Sequence, residues 1–485
     1  MIGEADSQAA MWSYRVNLDK RVGIEHPLRR INAVLDLSFV RGQVAHTYGR
    51  KGNKSVPPEV IVRMMVLLFL DDIKSERELM RIIPERLDYL WFLGYGLDDE
   101  IPNHSVLSKA RKRWGKELFV TLFSWVVHQC VEAGLVEGRK IHVDASLVDA
   151  NASWKSVQPL AGEVSRAIER TAREQLLKLD ERDEDATSGT QAEAKGNQNA
   201  PVNRKLASVS DPDATLVRRS GIGNRPRYKT HRAVDDAHEI ITALETTTGI
   251  IDEGTQLFAL IEAHEDITGQ RAQTVIGDAR YGNINNLLEC QKRQIRPHLR
   301  LLGDTYTKKT LSQGLYTEEH LPYDPLSDTY RCPAGQSLSA RRLHPQRRIW
   351  EYVTPKGTCS KCPLRKLCTT SAKGRTLHRH QDQALLDRAR QIAHSKAAKG
   401  DLKRRQHLME RSFADAANCH GLKRARWRGL WKQAIQDLLI ATVQNLRKLI
   451  KHLAQSDPEA AGYLYQLLCR LSTLLHALPA SILST

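Results

Sequence analysis

Long apolar runs are missing from this 485-residue chain, and no uninterrupted stretch approaches the roughly 18 residues that a membrane span requires. The most apolar segments, "MVLLFL" (Met65 to Leu70) and the Leu-rich C-terminus broken by Gln466, Arg470 and His476, read as buried helices. "MIGEADSQAAMWSYR" at the N-terminus has neither the basic nor the apolar region of a signal peptide, so the expected location is cytoplasmic, with no membrane partner. Cysteine is scarce. There are eight, four of them between Cys332 and Cys368, which suits a reducing compartment and a metal site better than a disulfide framework. Cys130, Cys290, Cys419 and Cys469 are scattered and read as inert. Internal repeats are absent, and the basic stretches are too interrupted by apolar residues to count as low complexity.

Positive charge is plentiful. A formal charge of +17 and a pI near 9.5 give the surface a field that attracts polyanions, nucleic acid first and an anionic membrane second. A hydrophobic content of 41% is ample for the cores of two or three domains.

Residues 1–136 read as an all-helical region. "SVPPEVIVRMMVLLFL" opens with Ser55 and two prolines, which favour a helix start, and "SERELMRIIPERLDYLWFLGY" continues as helix with an interruption at Pro84. In "IPNHSVLSKARKRWG", Asn103 or Ser105 can cap a short helix presenting Lys109, Arg111, Lys112 and Arg113. Such a helix after a turn has the outline of a helix-turn-helix DNA reader, or is simply a solvated cationic face. Trp91, Phe92 and Trp114 are expected in the core.

At "RKIHVDASLVDANAS" the period changes to that of a strand, and residues 137–310 read as the first part of a mixed sheet carrying a flexible polar insertion at 155–226. "RYKTHRAVDDAHEIITALETTTGII" is a hairpin turning at "DDAHE". "TQLFALIEAHED" then reads as helix, "AQTVIGD" as strand, "INNLLECQKRQ" as helix and "IRPHLRL" as strand. Residues 311–375 are a small Cys-rich insertion, 376–455 are almost wholly helical, and 456–485 form a helical tail. Trp431, Ile435, Leu438, Leu439, Thr442, Leu446, Leu449 and Ile450 make a core-facing stripe on the last long helix. The expected fold class is α/β.

Three acids stand out in this basic chain. Asp144 lies in the first strand of the sheet, Asp278 ends a later one, and Glu410 is the sole glutamate from residue 352 through 458, flanked by Arg404, Arg405, Arg411, Lys423, Arg424, Arg426 and Arg428. A phosphate-gripping surface gains nothing from a stray acid, whereas a Mg²⁺ site needs several. Two such ions stabilise the attacking and leaving oxygens of a phosphoryl displacement. Taken singly, Asp278 also suits a turn cap, Asp144 a buried pair with His142 or a lysine, and Glu410 a surface ion pair.

"IHVDASLVDANAS", "SDPDATLVRRSG", "YKTHRAVDDAHEIITALETTTG", "VIGDARYGN" and "MERSFADAANCHGLKRARWRGL" together resemble the DDE transposases of bacterial insertion sequences, over most of the chain. The resemblance implies an RNase H-like core with Asp144, Asp278 and Glu410 as catalytic ligands of Mg²⁺ or Mn²⁺. It further implies double-stranded DNA partners (the element's terminal inverted repeats and its target), a homodimer on DNA, and a nucleoid-associated location in bacteria. Many relatives place Tyr and Arg before the Glu and Lys after it, at spacings that fall here on Lys403, Gln406 and Ala417. Those positions do not match, so Arg405, Arg411 and Lys423, with Arg424 and Arg426, are the candidate phosphate contacts. Lys229 and His231 are candidates for either DNA contact or solvent exposure. Asp235 and Asp236, rivals for the second acid, read better as turn residues.

Cys332, Cys359, Cys362 and Cys368 space as C-x26-C-x2-C-x5-C, enough for a structural Zn²⁺, with His378 or His380 able to replace one sulfur. Reduced free thiols and an iron-sulfur cluster stay open. The alternatives to a transposase are a nuclease of the same core without strand transfer and a catalytically inert, sequence-specific DNA-binding protein.

Overall fold

Caps and prolines decide where the N-terminal helices begin. The computed structural model describes residues 16–49, 55–159, 203, 206–219, 223–301, 303, 307 and 310–455. Most of the insertion expected at 155–226, the tail expected at 456–485 and Cys469 lie outside the described residues. Helix Pro58–Leu70 starts at a proline, where the missing N–H is no loss, and Met64 to Phe69 are all buried, so "MVLLFL" is core. Ser75 caps Glu76–Ile82 by accepting from the Glu78 N–H, and Pro84 falls in the 3₁₀ turn Ile83–Glu85 that separates it from Leu87–Leu93. Phe92 and Trp114 are buried, and the Trp91 indole donates to Asp19 Oδ1 at 3.1 Å.

Helix Ser105–Trp114 alters one expectation. Lys109, Lys112 and Arg113 face out, but Arg111 is 3% exposed and ion-paired with Glu76. It lies on the same face as Leu107, Ala110 and Trp114, because residues three and four apart on a helix share a side. Arg111 is therefore an interior group, not a DNA contact. Removing one member of a buried pair leaves the other charge desolvated, so Glu76→Ala should cost about 3 kcal/mol, read as a lower denaturant midpoint at unchanged slope.

The described residues group into two units, one drawn from 16–122, 419–421 and 442–455, the other from 123–418 and 422–441. The second unit is built on strands β1 (Lys140–Asp149), β4 (Thr215–Arg219), β5 (Gly223–Asp235), β6 (Ile241–Thr248), β7 (Thr274–Gly282) and β8 (Arg296–Leu301). Between β1 and β4, the short strands β2 (Val157–Pro159) and β3 (Leu206–Ser208) pair with each other. The main sheet runs β4-β5-β1-β7-β8, with β6 also paired to β5. β5 is antiparallel to β1, β4 and β6, whereas β1, β7 and β8 are mutually parallel.

The sequence explains this arrangement. "DDAHE" turns β5 into β6, and Asp235 satisfies the turn by accepting from the Ala237 N–H at 2.9 Å. Helices Leu257–Thr268 and Ile284–Lys292 make the crossovers that parallel neighbours require. Ile141, Val143, Val275 and Leu299 form one core with Leu260, Ile261, Leu287 and Leu386. Asn283 caps the second crossover helix by accepting from the Asn286 N–H.

Residues 323–380 contribute a separate five-stranded antiparallel sheet: β9 (Tyr323–Asp324), β10 (Thr329–Arg331), β11 (Ser337–His344), β12 (Ile349–Val353) and β13 (Thr376–His380). Tyr323, Tyr330 and Tyr352 pack in its small core with centroids 5.0 to 6.3 Å apart. The region 382–455 is three helices, Gln383–Ala393, Lys396–His420 and Leu430–Gln455, broken at 421–429. Along the last of these the stripe from Ile435 to Leu449 is buried, but Trp431, in the first turn, is 38% exposed. No helix among the described residues is long and apolar enough to cross a membrane.

Candidate cation site

Register brings the first two acids together. Lys140 pairs with Thr274, Ile141 with Val275 and His142 with Ile276. Continued by two residues, the same offset sets Asp144 level with Asp278 on neighbouring parallel strands. A third carboxylate, Glu253, comes from the short 3₁₀ turn Glu253–Gln256 after β6. One oxygen from each of Asp144, Glu253 and Asp278 lies within 4.8 Å of the other two, and all three residues are partly buried.

At such distances two like charges repel by about 4 kcal/mol at an effective dielectric near 20, so the site needs positive charge. Among the described residues, two cations pair with the three acids. Arg405 Nη1 is 2.8 Å from Asp144 Oδ2, and Lys229 Nζ is 3.2 Å from Glu253 Oε1. Asp278 Oδ1 accepts from the Arg280 N–H at 2.9 Å. Burial raises the Asp144 carboxyl above its usual range, Arg405 opposes this, and Asp278 adds to it. Burial likewise raises Glu253, with Lys229 opposing and Asp278 and Asp144 adding.

Glu253 is held in place by backbone chemistry. Asp252 caps the turn by accepting from the Gly254 N–H at 2.9 Å. Gly254 lies so close to the end of β7 that a Cβ there would run into the Arg280 carbonyl. Asn286 Nδ2 donates to the Gly254 and Tyr281 carbonyls, both at 2.9 Å, tying the Glu253 turn to that strand end. Near the end of β7, Tyr281 is wholly buried in the apolar core, and its hydroxyl has no hydrogen-bond partner among the described residues. Burial, reinforced by Glu253, Asp144 and Asp278, keeps that phenol protonated far above its ordinary pKa.

The third expected acid is elsewhere. Glu410 is exposed on helix Lys396–His420 and accepts from Gln406 Nε2 at 3.2 Å, outside the three-carboxylate group. Sequence reasoning missed Glu253 because an acid one residue after a capping Asp looks like an ordinary helix start. The available signal was its place at the mouth of the crossover that follows β6.

Several expected DNA contacts are engaged internally. Lys229 is 9% exposed and also donates to the Ile251 carbonyl at 2.8 Å, and the buried His231 bonds Thr247, so neither is a surface contact. Arg405 is bound to Asp144 and donates to the Val143 carbonyl at 3.3 Å. Arg411 pairs with Glu239 but stays exposed, and Asp236 takes His142 and Arg404. Lys423 and Arg424 are exposed and Arg426 is half-buried. Lys423 Nζ donates to Ser146 Oγ at 3.0 Å, and the backbone from Lys423 to Ala425 bonds Asp149 on both sides.

Cys332 follows β10, and Cys359, Cys362 and Cys368 lie in the connection between β12 and β13. Burial raises the Cys368 thiol, Arg375 opposes, and the thiols of Cys359, Cys332 and Cys362 add to the rise. The Gln336 N–H donates to Cys332 Sγ at 3.3 Å, and Thr354 Oγ1 lies 3.2 Å from Cys359 Sγ. Their sulfurs are not drawn as close as the three carboxylates.

Residues 16–113 match the family described as "Transposase domain (DUF772)", and residues 331–450 match the "Transposase DDE domain". The second match takes in Glu410 and the four cysteines, while Asp144, Glu253 and Asp278 lie between the two. No curated protein matches. Among solved structures, the chain is distantly similar to the piggyBac transposase of a cryo-EM synaptic complex with hairpin DNA, at 8% identity and a TM-score of 0.30, over 89% of this chain and 80% of that one.

Proposed function

We propose, for a chain whose two matched domains make it a DNA transposase of the DDE type, that Asp144, Asp278 and Glu253 hold the divalent cation with which it cuts element ends and joins them to target DNA. The observation that carries this reading is the meeting of three carboxylates on adjoining parallel strands and the turn beside them. The order β6-β5-β1-β7-β8, antiparallel then parallel, supports an RNase H-like core.

The residues fit such an ion. Their donors are all hard oxygens, and among the described residues the three carboxylates are paired with two cations, Arg405 and Lys229. Mg²⁺ or Mn²⁺ bound there would supply Lewis acidity toward a phosphodiester, as one ion or as a pair. The chain's own part is positioning. Parallel pairing sets the spacing of Asp144 and Asp278, Asn286 fixes the Glu253 turn, and Arg405 and Lys229 pair with Asp144 and Glu253 in a partly buried site. Lys109, Lys112, Arg113, Arg411, Lys423, Arg424 and Arg426 are proposed to meet DNA phosphates, and two copies of the chain to bring two element ends together.

Glu410 is retained as a proposed participant in the reaction, because the DDE-domain match includes it and it shares a helix with Arg405. Cys332, Cys359, Cys362 and Cys368 are proposed to bind structural Zn²⁺; elemental analysis of purified protein should give about one zinc per chain, and none would remove the proposal. Strand transfer separates this reading from a nuclease. A pre-cut element end should join a second duplex in Mg²⁺, and cleavage without joining would favour the nuclease.

A further inference from the structure

Most of the chain's net charge sits on the small antiparallel sheet and its cysteine-bearing loops. Residues 331–380 hold twelve lysines and arginines against one acid, Glu351, a net +11 out of the chain's +17. Arg341, Arg342, Lys356, Lys361, Lys366 and Lys373 are all exposed, and no acid among the described residues pairs with any of them. Like charges crowded on a small sheet repel one another, so the arrangement weakens the fold unless an anion covers it.

The strands display these cations instead of burying them. Leu338, Tyr352 and Leu377 form the sheet's core with Tyr323 and Tyr330 packed against it, and no charged group shares that core. On β11 the pairing steps from Ala340 with Tyr352 to Arg342 with Glu351, so Arg341 is an extra residue with no partner across the strand. Bulges of this kind re-aim side chains, and this one falls at two successive exposed arginines.

The small sheet also borders the end of the main sheet that carries the acids. β7 and β8 run parallel, and Gly282 at the end of β7 pairs with Leu301 at the end of β8, where the chain leaves for the small sheet. The turn between β11 and β12 comes back to that end: Gln346, Arg347, Arg348 and His380 share a groove with Ile284 and Asn285. Those last two open the helix that follows β7, a few positions after Asp278. Arg348 secures the turn by pairing with Asp382 at 2.9 Å.

We propose that the small sheet is a second duplex-binding surface, whose exposed cations neutralise phosphates of the DNA arm running outward from the cation site. This rests on the DNA transposase reading given above, which supplies the partner. Contacts of charge to phosphate position a duplex without reading its sequence, so the surface takes any arm that reaches it.

The test is duplex binding by the full-length protein without divalent metal, titrated across salt concentrations with a labelled duplex of arbitrary sequence. Each phosphate neutralised contributes about 0.9 to the slope of log affinity against log salt. Arg341→Gln combined with Arg342→Gln should therefore flatten the slope by about 2, so that the variant's deficit shrinks about tenfold between about 50 and 200 mM salt. Lys366→Gln combined with Lys373→Gln, on the cysteine loops, should flatten it likewise, with wild-type melting temperatures as the check on folding. Arg139→Gln combined with Lys399→Gln removes the same charge at the opposite end of the main sheet, where Arg139 precedes β1 and Lys399 lies two residues before Asp401, the partner of Lys140. That control should keep the wild-type slope. Slopes of both small-sheet variants lowered no more than the control's would overturn the proposal and leave the transposase reading intact. A wild type without salt-dependent duplex binding would overturn both. With metal absent, failure of the three-carboxylate site would move none of these readings.

Discussion

Asp144→Ala and Asp278→Ala should each slow cleavage of an element end by about a thousandfold or more, while DNA binding keeps its affinity and salt dependence. The expected size follows from what each oxygen does. A cation stabilising charge on a transferring phosphoryl group is worth several kcal/mol, and about 4 kcal/mol corresponds to roughly a thousandfold in rate. The two acids are level on adjacent strands, so loss of either leaves the other facing a mismatched charge count. Affinity for DNA depends instead on how many phosphates are neutralised by basic side chains, and neither acid contributes there. Asp144→Ala also strips Arg405 of its partner, so Asp144→Asn is the companion variant that preserves shape. Labelled-duplex cleavage and a binding titration across salt concentrations read both quantities, and an undiminished cleavage rate would remove that residue from the site.

The second large effect separates two glutamates. Glu253→Gln should lose Mn²⁺ binding and, with it, cleavage by a factor similar to that of the aspartates, because it removes one of three carboxylates while keeping the turn's packing. Glu410→Gln should retain Mn²⁺ binding in the DNA-free protein, since its side chain is exposed and bonded to Gln406, yet lose cleavage if the family's third acid acts from that helix. The same pair of measurements on both variants decides the matter. Wild-type cleavage by Glu253→Gln would return the third ligand position to Glu410, and wild-type cleavage by Glu410→Gln would leave Glu253 as the sole third acid.

Asp144 and Asp278 were legible because each belongs to an alternation pattern that predicts a strand, Asp144 within it and Asp278 at its end, and strands set their own spacing. The hairpin at 236–240, the capped helix after Asn283 and the break at Pro84 were legible for the same local reason: each depends on a handful of adjacent residues. Glu253 was not, because its position is decided by contacts from Gly254 to Arg280 and from Asn286 across the chain. Arg111 and Lys229 show a different limit. Counting charges along a helix or strand says how basic it is, but Glu76 and Glu253, distant in sequence, determine that these two cations point inward. Trp431 is the converse, an apolar residue that continues a buried stripe in sequence and stands at its exposed end in space.

Arg405 holds Oδ2 of Asp144, one of the acids proposed to bind the ion, and it is also a group that phosphate attracts. Duplex that drew this guanidinium aside would free the carboxylate and tighten ion binding. Thermodynamic reciprocity then obliges the ion to tighten duplex binding by the same factor. Loading of metal and loading of DNA are in that case one coupled equilibrium, with a single side chain as the coupling element.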